Sequence, residues 1–254
     1  MTVQPGSATG EGVLGPDAAL SRAGDGSGED SEWLADPDYR AAVVDLFGAL
    51  AYGELIAFER LAQDAALAPT VTDTAALGQM AVAELGHYRR LAAALGELGW
   101  DPFAAMAPFV EPLEAFHERT RPGSWLEGLV KAYVGDGIAA DFYREVSAYL
   151  DGASRALVLE VLADTGHARF VVETVRAAVR SNPTLAGRLA LWARRLVGEA
   201  LSQAQRVAAE RDALAGLLVG GANRPGTDLA EFGRMLARMT EAHAKRMAAL
   251  GLSA

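Results

Sequence analysis

The chain has 254 residues, 51% of them hydrophobic, and its 33 acidic and 23 basic side chains give a net charge of −10. That is enough material for one substantial core, and the acidic balance argues against a dominant nucleic-acid surface. Cysteine is absent, so disulfides and thiolate metal sites are excluded, and any metal must be held by carboxylate and imidazole.

Residues 1–36 include the run "GSATGEGVLGPDAALSRAGDGSGEDSE", whose Gly, Ser and acidic content is that of a disordered tail. No uncharged apolar run of about 18 residues occurs, so neither a membrane span nor a secretory signal is expected and the expected location is cytoplasmic. Residues 37–251 read as one helical domain with little strand-like alternation. Helices are predicted over about 38–66 and about 73–98, the second capped by Thr72 or Asp73. After Trp100, the prolines 102, 108 and 112 mark an irregular stretch with a short helix near about 110–119. Four more helices are predicted at about 123–149, 153–180, 184–219 and 227–250.

In the second helix, "AELGHYRR" puts Glu84 and His87 in two places of an apolar stripe otherwise made by Leu77, Met80, Leu91 and Leu98. Buried charges need a partner or a metal. The pattern recurs. "GELIAFE" at 53–59 aligns with "GDGIAAD" at 135–141, setting Glu54 against Asp136, and "AELGH" at 83–87 aligns with "ADTGH" at 163–167, setting Asp164 and His167 against Glu84 and His87. Counting rise along each helix pair, about 18 Å up and 17 Å back in the first half and about 20 and 17 Å in the second, brings all these positions to one level. Glu59 and Asp141, five residues on, fall off the stripe and are expected to be solvated or paired with arginines.

The predicted fold class is therefore all-α: a ferritin-like four-helix bundle with an internal pseudo-twofold repeat and two additional C-terminal helices. One carboxylate on each of two helices, with a carboxylate-x-x-His pair on each of the others, is the di-iron or di-manganese pattern of such bundles. The predicted metal ligands are Glu54, Glu84, His87, Asp136, Asp164 and His167, four carboxylates to balance two divalent cations, with donors suited to iron or manganese.

The stretches "AYGELIAFERLA", "VKAYVGDGIAADFYRE" and "LALWARRLVGEALSQAQR" resemble the bacterial proteins related to the tRNA 2-methylthio-isopentenyladenosine hydroxylase, a likeness running from about residue 38 to 219. The resemblance implies a non-haem di-iron oxygenase that uses dioxygen to hydroxylate a C–H bond, with two irons per chain. Asp136 and Asp164 stand where that family's usual ligand is glutamate. Aspartate reaches about 1.3 to 1.5 Å less far, so the Asp half is expected to bind its metal more weakly. Gly135, Gly137 and Gly166 could compensate by letting the backbone move inward. The alternative is a non-catalytic metal-binding or structural bundle with a degenerate site, in which Asp136 and Asp164 hydrogen-bond His167 and His87.

Among the remaining residues, Tyr143 reads as core packing or as a donor to the ligand carboxylates, and Glu199, Gln203, Arg206 and Glu210 as a solvated helix edge. His117 and His243 fit no pattern. The expected partners are dioxygen and an unidentified organic substrate, with no membrane and a homo-oligomer possible. Transfer RNA is the less favoured substrate, although Arg169, Arg176 and Arg180, and separately Arg234, Arg238 and Lys245, form basic stripes.

Overall fold

The computed structural model describes residues 32–163, 167–221 and 224–254; the His167 side chain lies outside them. The expected tail therefore falls almost wholly outside the described residues, and so does Asp164. Among the described residues the regular structure is helical, apart from one isolated antiparallel bridge between Gly221 and Arg224.

Helix α1 is Pro37–Asp64, begun by Asp36, whose carboxylate accepts from Asp38 N at 3.0 Å, and by Pro37 in the first turn, where a missing N–H costs nothing. A 3-10 turn, Ala65–Leu67, leads to α2, Val71–Glu97. Its cap is Thr70, which accepts from Asp73 N at 3.2 Å, and not the Thr72 or Asp73 expected from sequence. Helix α3 is Pro102–Arg119, much longer than the short helix predicted, because Pro108 and Pro112 lie inside it. Each removes one intrahelical bond. The freed carbonyls belong to Ala104 and Pro108, both exposed residues, while Ala105, Met106, Phe109 and Pro112 bury the opposite face.

Helix α4 is Trp125–Ser147. The single helix predicted over 153–180 is instead α5, Gly152–Val161, and α6, His167–Ser181. The next predicted helix also divides, into α7, Thr184–Glu210, and α8, Asp212–Val219, before α9, Leu229–Leu250. The break has a visible cause. Arg211 sits between α7 and α8 in an extended conformation (φ −129°), and its guanidinium grips the buried Asp45 of α1, with Nε at 2.9 Å from Oδ2 and Nη2 on Oδ1. Charge on Asp45 would be costly without that fork. Asp45→Ala should lower stability by about 2 kcal/mol, less than a fully buried pair because Arg211 can regain water; equilibrium urea unfolding measures it.

Helix α1 packs against α2, α3, α4 and α8, whereas α4 packs against α5, α6, α7 and α9. Helix α1 with its following turn is long and apolar enough to cross a membrane, but most of that apolar window is buried by its neighbours, as a core helix requires.

The apolar interior is divided in two. One core takes Tyr39 to Ala51 of α1, Leu91 and Leu95 of α2, Val146 of α4, and Val158 and Val161 of α5. The other takes Leu61 and Ala65, Leu77 to Ala81 of α2, Leu129 to Val134 of α4, and Val171 and Val175 of α6. Between them α1, α2 and α4 each have a short interval that belongs to neither core: 53–57, 82–87 and 135–137.

Candidate metal centre

Those intervals contain Glu54, Glu84 with His87, and Asp136, three of the four positions singled out by sequence. The antiparallel turn between α1 and α2 is what levels the first two. His87 Nδ1 lies 3.3 Å from Glu54 Oε2 and 3.3 Å from Glu84 Oε2. One donor atom from each of these three part-buried residues falls within 4.8 Å of the others, close enough to share one cation.

Electrostatics shows how crowded this acidic centre is. The Glu54 carboxyl is held well above the usual range, first by burial and then by its hydrogen bond with Glu84. Hydrogen bonds that the ring donates to Glu54, then to Glu84, raise the His87 imidazole to about 9, so the ring carries a proton at neutral pH. Asp136 borders open space yet is surrounded by protein at longer range, and it too is pushed well above the carboxylate range, by desolvation first and the Glu84 charge second. Tyr143 rises to about 12, through burial and then the Glu54 charge, and its ring packs edge-on against Phe142 at 5.6 Å.

The structure thus joins Glu54, Glu84 and His87 and sets Asp136 within electrostatic reach of Glu84, while Asp164 and the His167 side chain lie outside the described residues. Two carboxylates and an imidazole at one level fit a hard or borderline divalent cation. His87 is bonded through Nδ1 to Glu54 and Glu84, while the His87–Asp164 bond of a degenerate site involves a residue outside the described ones.

The expected role of the glycines on α4 is corrected. A Cβ on Gly137 would lie 2.2 Å from Arg246 Nε, so this glycine makes room for an α9 guanidinium that bonds Gly137 O at 3.1 Å and Asp141 Oδ2 at 2.5 Å. Gly135 faces Phe116 of α3. Asp141 is paired as expected, with Arg246 and with Arg144 at 3.5 Å, and Glu59 lies 3.9 Å from Arg60.

Sequence reasoning passed over a second polar group beside the centre. Lys131 of α4 donates to the Thr120 carbonyl at 3.0 Å, and Asp64, Arg60 and His117 are near enough for their charges to be felt. The signal was present, a lysine between Val130 and Val134 on an apolar helix, in a chain with only one other lysine.

A search among curated proteins finds no significantly similar sequence. The family model of a ferritin-like domain from actinomycetes matches residues 37–221, which spans α1 to α8 and all six ligand positions expected from sequence. With that match over most of its length and an all-helical fold around a carboxylate–histidine cluster, the chain belongs to the ferritin-like domain family of actinomycetes.

Proposed function

We propose that the chain is a metalloprotein whose centre takes iron, or manganese in its place, and uses dioxygen to hydroxylate a small organic substrate. The observation that carries this reading is the interruption of both apolar cores at one level by Glu54, Glu84, His87 and Asp136. Polar residues left between two cores by chance would not bring the side chains of Glu54, Glu84 and His87 from two helices to one point, with Asp136 of a third helix within electrostatic reach. Glu54, Glu84 and His87 would hold the first cation, and Asp136, with Asp164 and His167, the second. The bound metal would supply the redox partner for dioxygen, with an external reductant providing the two electrons that a single-oxygen insertion into a C–H bond requires.

The chain's own residues supply charge balance and proton handling. His87 holds a proton between Glu54 and Glu84, and a cation entering at Nδ1 must displace it. The cores above and below the level keep bulk water out along the bundle axis.

A small substrate is favoured over tRNA by the pairing of one basic stripe. Arg234 lies 2.7 Å from Glu231, Arg238 2.6 Å from Glu145, and Lys245 2.7 Å from Glu241, so α9 offers phosphate little free charge. A bundle that binds metal without catalysis is the second reading, favoured by the hydrogen bonds that tie His87 to both Glu54 and Glu84.

The first test is metal content. The full chain loaded anaerobically with Fe(II) should approach two equivalents, and replacing His87 and His167 together by alanine should remove them while the helical circular dichroism stays unchanged. A folded double variant that takes up the same iron with the same affinity would refute the ligand assignment. Dioxygen consumption by the iron-loaded protein, present or absent, separates the oxygenase from the non-catalytic bundle.

A further inference from the structure

Lys131 is 7% exposed, an unusual place for an ammonium. Buried charges are ordinarily matched by an opposite charge. Here the partners are neutral: the carbonyl of Thr120 at 3.0 Å and the ring of Phe116, 5.4 Å from Nζ to its centroid. Thr120 is the C-terminal cap of α3, whose dipole presents its negative end to a cation. Among the described residues, Lys131 forms no direct ion pair. A charge satisfied by dipoles keeps its long-range field, and two carboxyl groups feel it: Asp64, which lies against Gly128 one turn back on α4, and Asp136, five residues and so about 7.5 Å of rise further along the same helix.

We infer that Lys131 is a standing counter-charge that stands in for part of the second cation, so that the centre holds one divalent ion firmly at Glu54, Glu84 and His87 and a second only weakly near Asp136. This rests on the metal-centre reading above. Glu54, Glu84 and Asp136 with one ammonium leave a net charge that a single divalent cation neutralises. A second divalent cation leaves an excess of positive charge over these groups even when Asp164 is counted, and the carboxylate that could offset it, Asp64, lies against Gly128, about 12 Å of helix rise from Asp136 and further off than Lys131. Bringing it in also sets it against the ammonium across a poorly polarisable interior, where repulsion between charges is strong. Among the described residues Lys131 touches none of the candidate ligands directly, so its effect on them is electrostatic and differs from the short reach of Asp136.

The test is an equilibrium titration with Mn(II), read by loss of the free-ion electron paramagnetic resonance signal, on the full-length protein and its Lys131→Met, Lys131→Gln, Lys131→Arg, Asp136→Glu and His87→Ala variants. The unmodified protein should bind one equivalent tightly and a second at least about tenfold more weakly. Lys131→Met and Lys131→Gln should strengthen the second equivalent by about tenfold or more and leave the first within about threefold, while Lys131→Arg, which keeps the charge, should behave as the unmodified protein. Lys131→Gln retains a donor for the Thr120 carbonyl, which guards against a packing defect in the methionine variant. If both neutral variants fold and leave the second affinity unchanged, the inference is overturned; an increase with Asp136→Glu in that case assigns the weakness to ligand reach. If the unmodified protein binds no Mn(II), or His87→Ala binds as the unmodified protein does, the metal-centre reading fails and this inference with it.

Discussion

Gly48→Ala should be among the most damaging single-methyl additions to this protein, costing about 3 kcal/mol of stability or preventing folding. Gly48 sits in the middle of α1, and a Cβ there would lie 2.3 Å from the Ala105 carbonyl oxygen and 2.7 Å from its carbonyl carbon. Both atoms are backbone of α3. No side-chain rotation can relieve the overlap, so α3 must move as a body, disturbing Ala105, Met106 and Phe109, which pack around the same point. The helix-propensity gain of about 1 kcal/mol from Gly to Ala is already outweighed in that figure. Gly78→Ala on α2 is the control, since its Cβ would meet nothing within 4 Å. It should gain up to about 1 kcal/mol. Urea unfolding of both variants decides the matter; a Gly48→Ala protein as stable as its parent would show that the α1–α3 contact is looser than the structure has it.

The closeness of α1 and α3 also marks a limit of reading the sequence. Helical period gave α1, α2 and α4 within a few residues, because apolar stripes such as Leu77, Met80, Leu91 and Leu98 are local patterns bounded by Asp, Thr and Ser caps, although the structure buries Leu95 more fully than Leu98. Helix α3 was misread since two prolines outweigh local helix propensity, whereas burial of Met106 and Phe109 against α1 is a long-range gain that no local rule sees. The Arg211 break was hidden for the same reason, its partner Asp45 being distant in sequence. The odd polar residue inside "AVVDLF" was the only hint.

The candidate centre was legible where period and spacing carried it. Glu84 and His87 three apart on one stripe, level with Glu54, are brought together as the helix rise demands. Their consequences were less legible: the raised imidazole of His87 and the open space beside Asp136 depend on side chains from several helices. The structural use of Gly137, tied to Arg246 of α9, depends on a helix that the internal repeat does not contain.

Acid should destabilise the protein through a residue outside the centre. His117 of α3 is largely buried with Nδ1 unpartnered, and desolvation, then the charges of Lys131 and Arg60, lower its imidazole to about 3. The folded state therefore refuses a proton that the unfolded chain accepts near its ordinary value of about 6.5. The stability contributed by the neutral ring is fully present above about pH 6.5 and is lost as the pH falls towards 3, amounting to about 3 kcal/mol by pH 4. Glu54 and Asp136 titrate in the opposite sense, their raised carboxyl groups taking up protons in the folded state first, so the net profile of the parent is shallower than this one residue implies. Comparison with His117→Met isolates the histidine, because those carboxyl groups are present in both proteins. At pH 7 the two should differ by no more than about 1 kcal/mol, the swap being close in volume. At pH 4 the methionine variant should be the more stable by about 3 kcal/mol relative to that baseline. Urea unfolding of metal-free protein at both pH values gives the two differences; equal differences at pH 7 and pH 4 would mean that His117 accepts its proton in the folded state, through water reaching Nδ1 or an anion placed between it and Lys131.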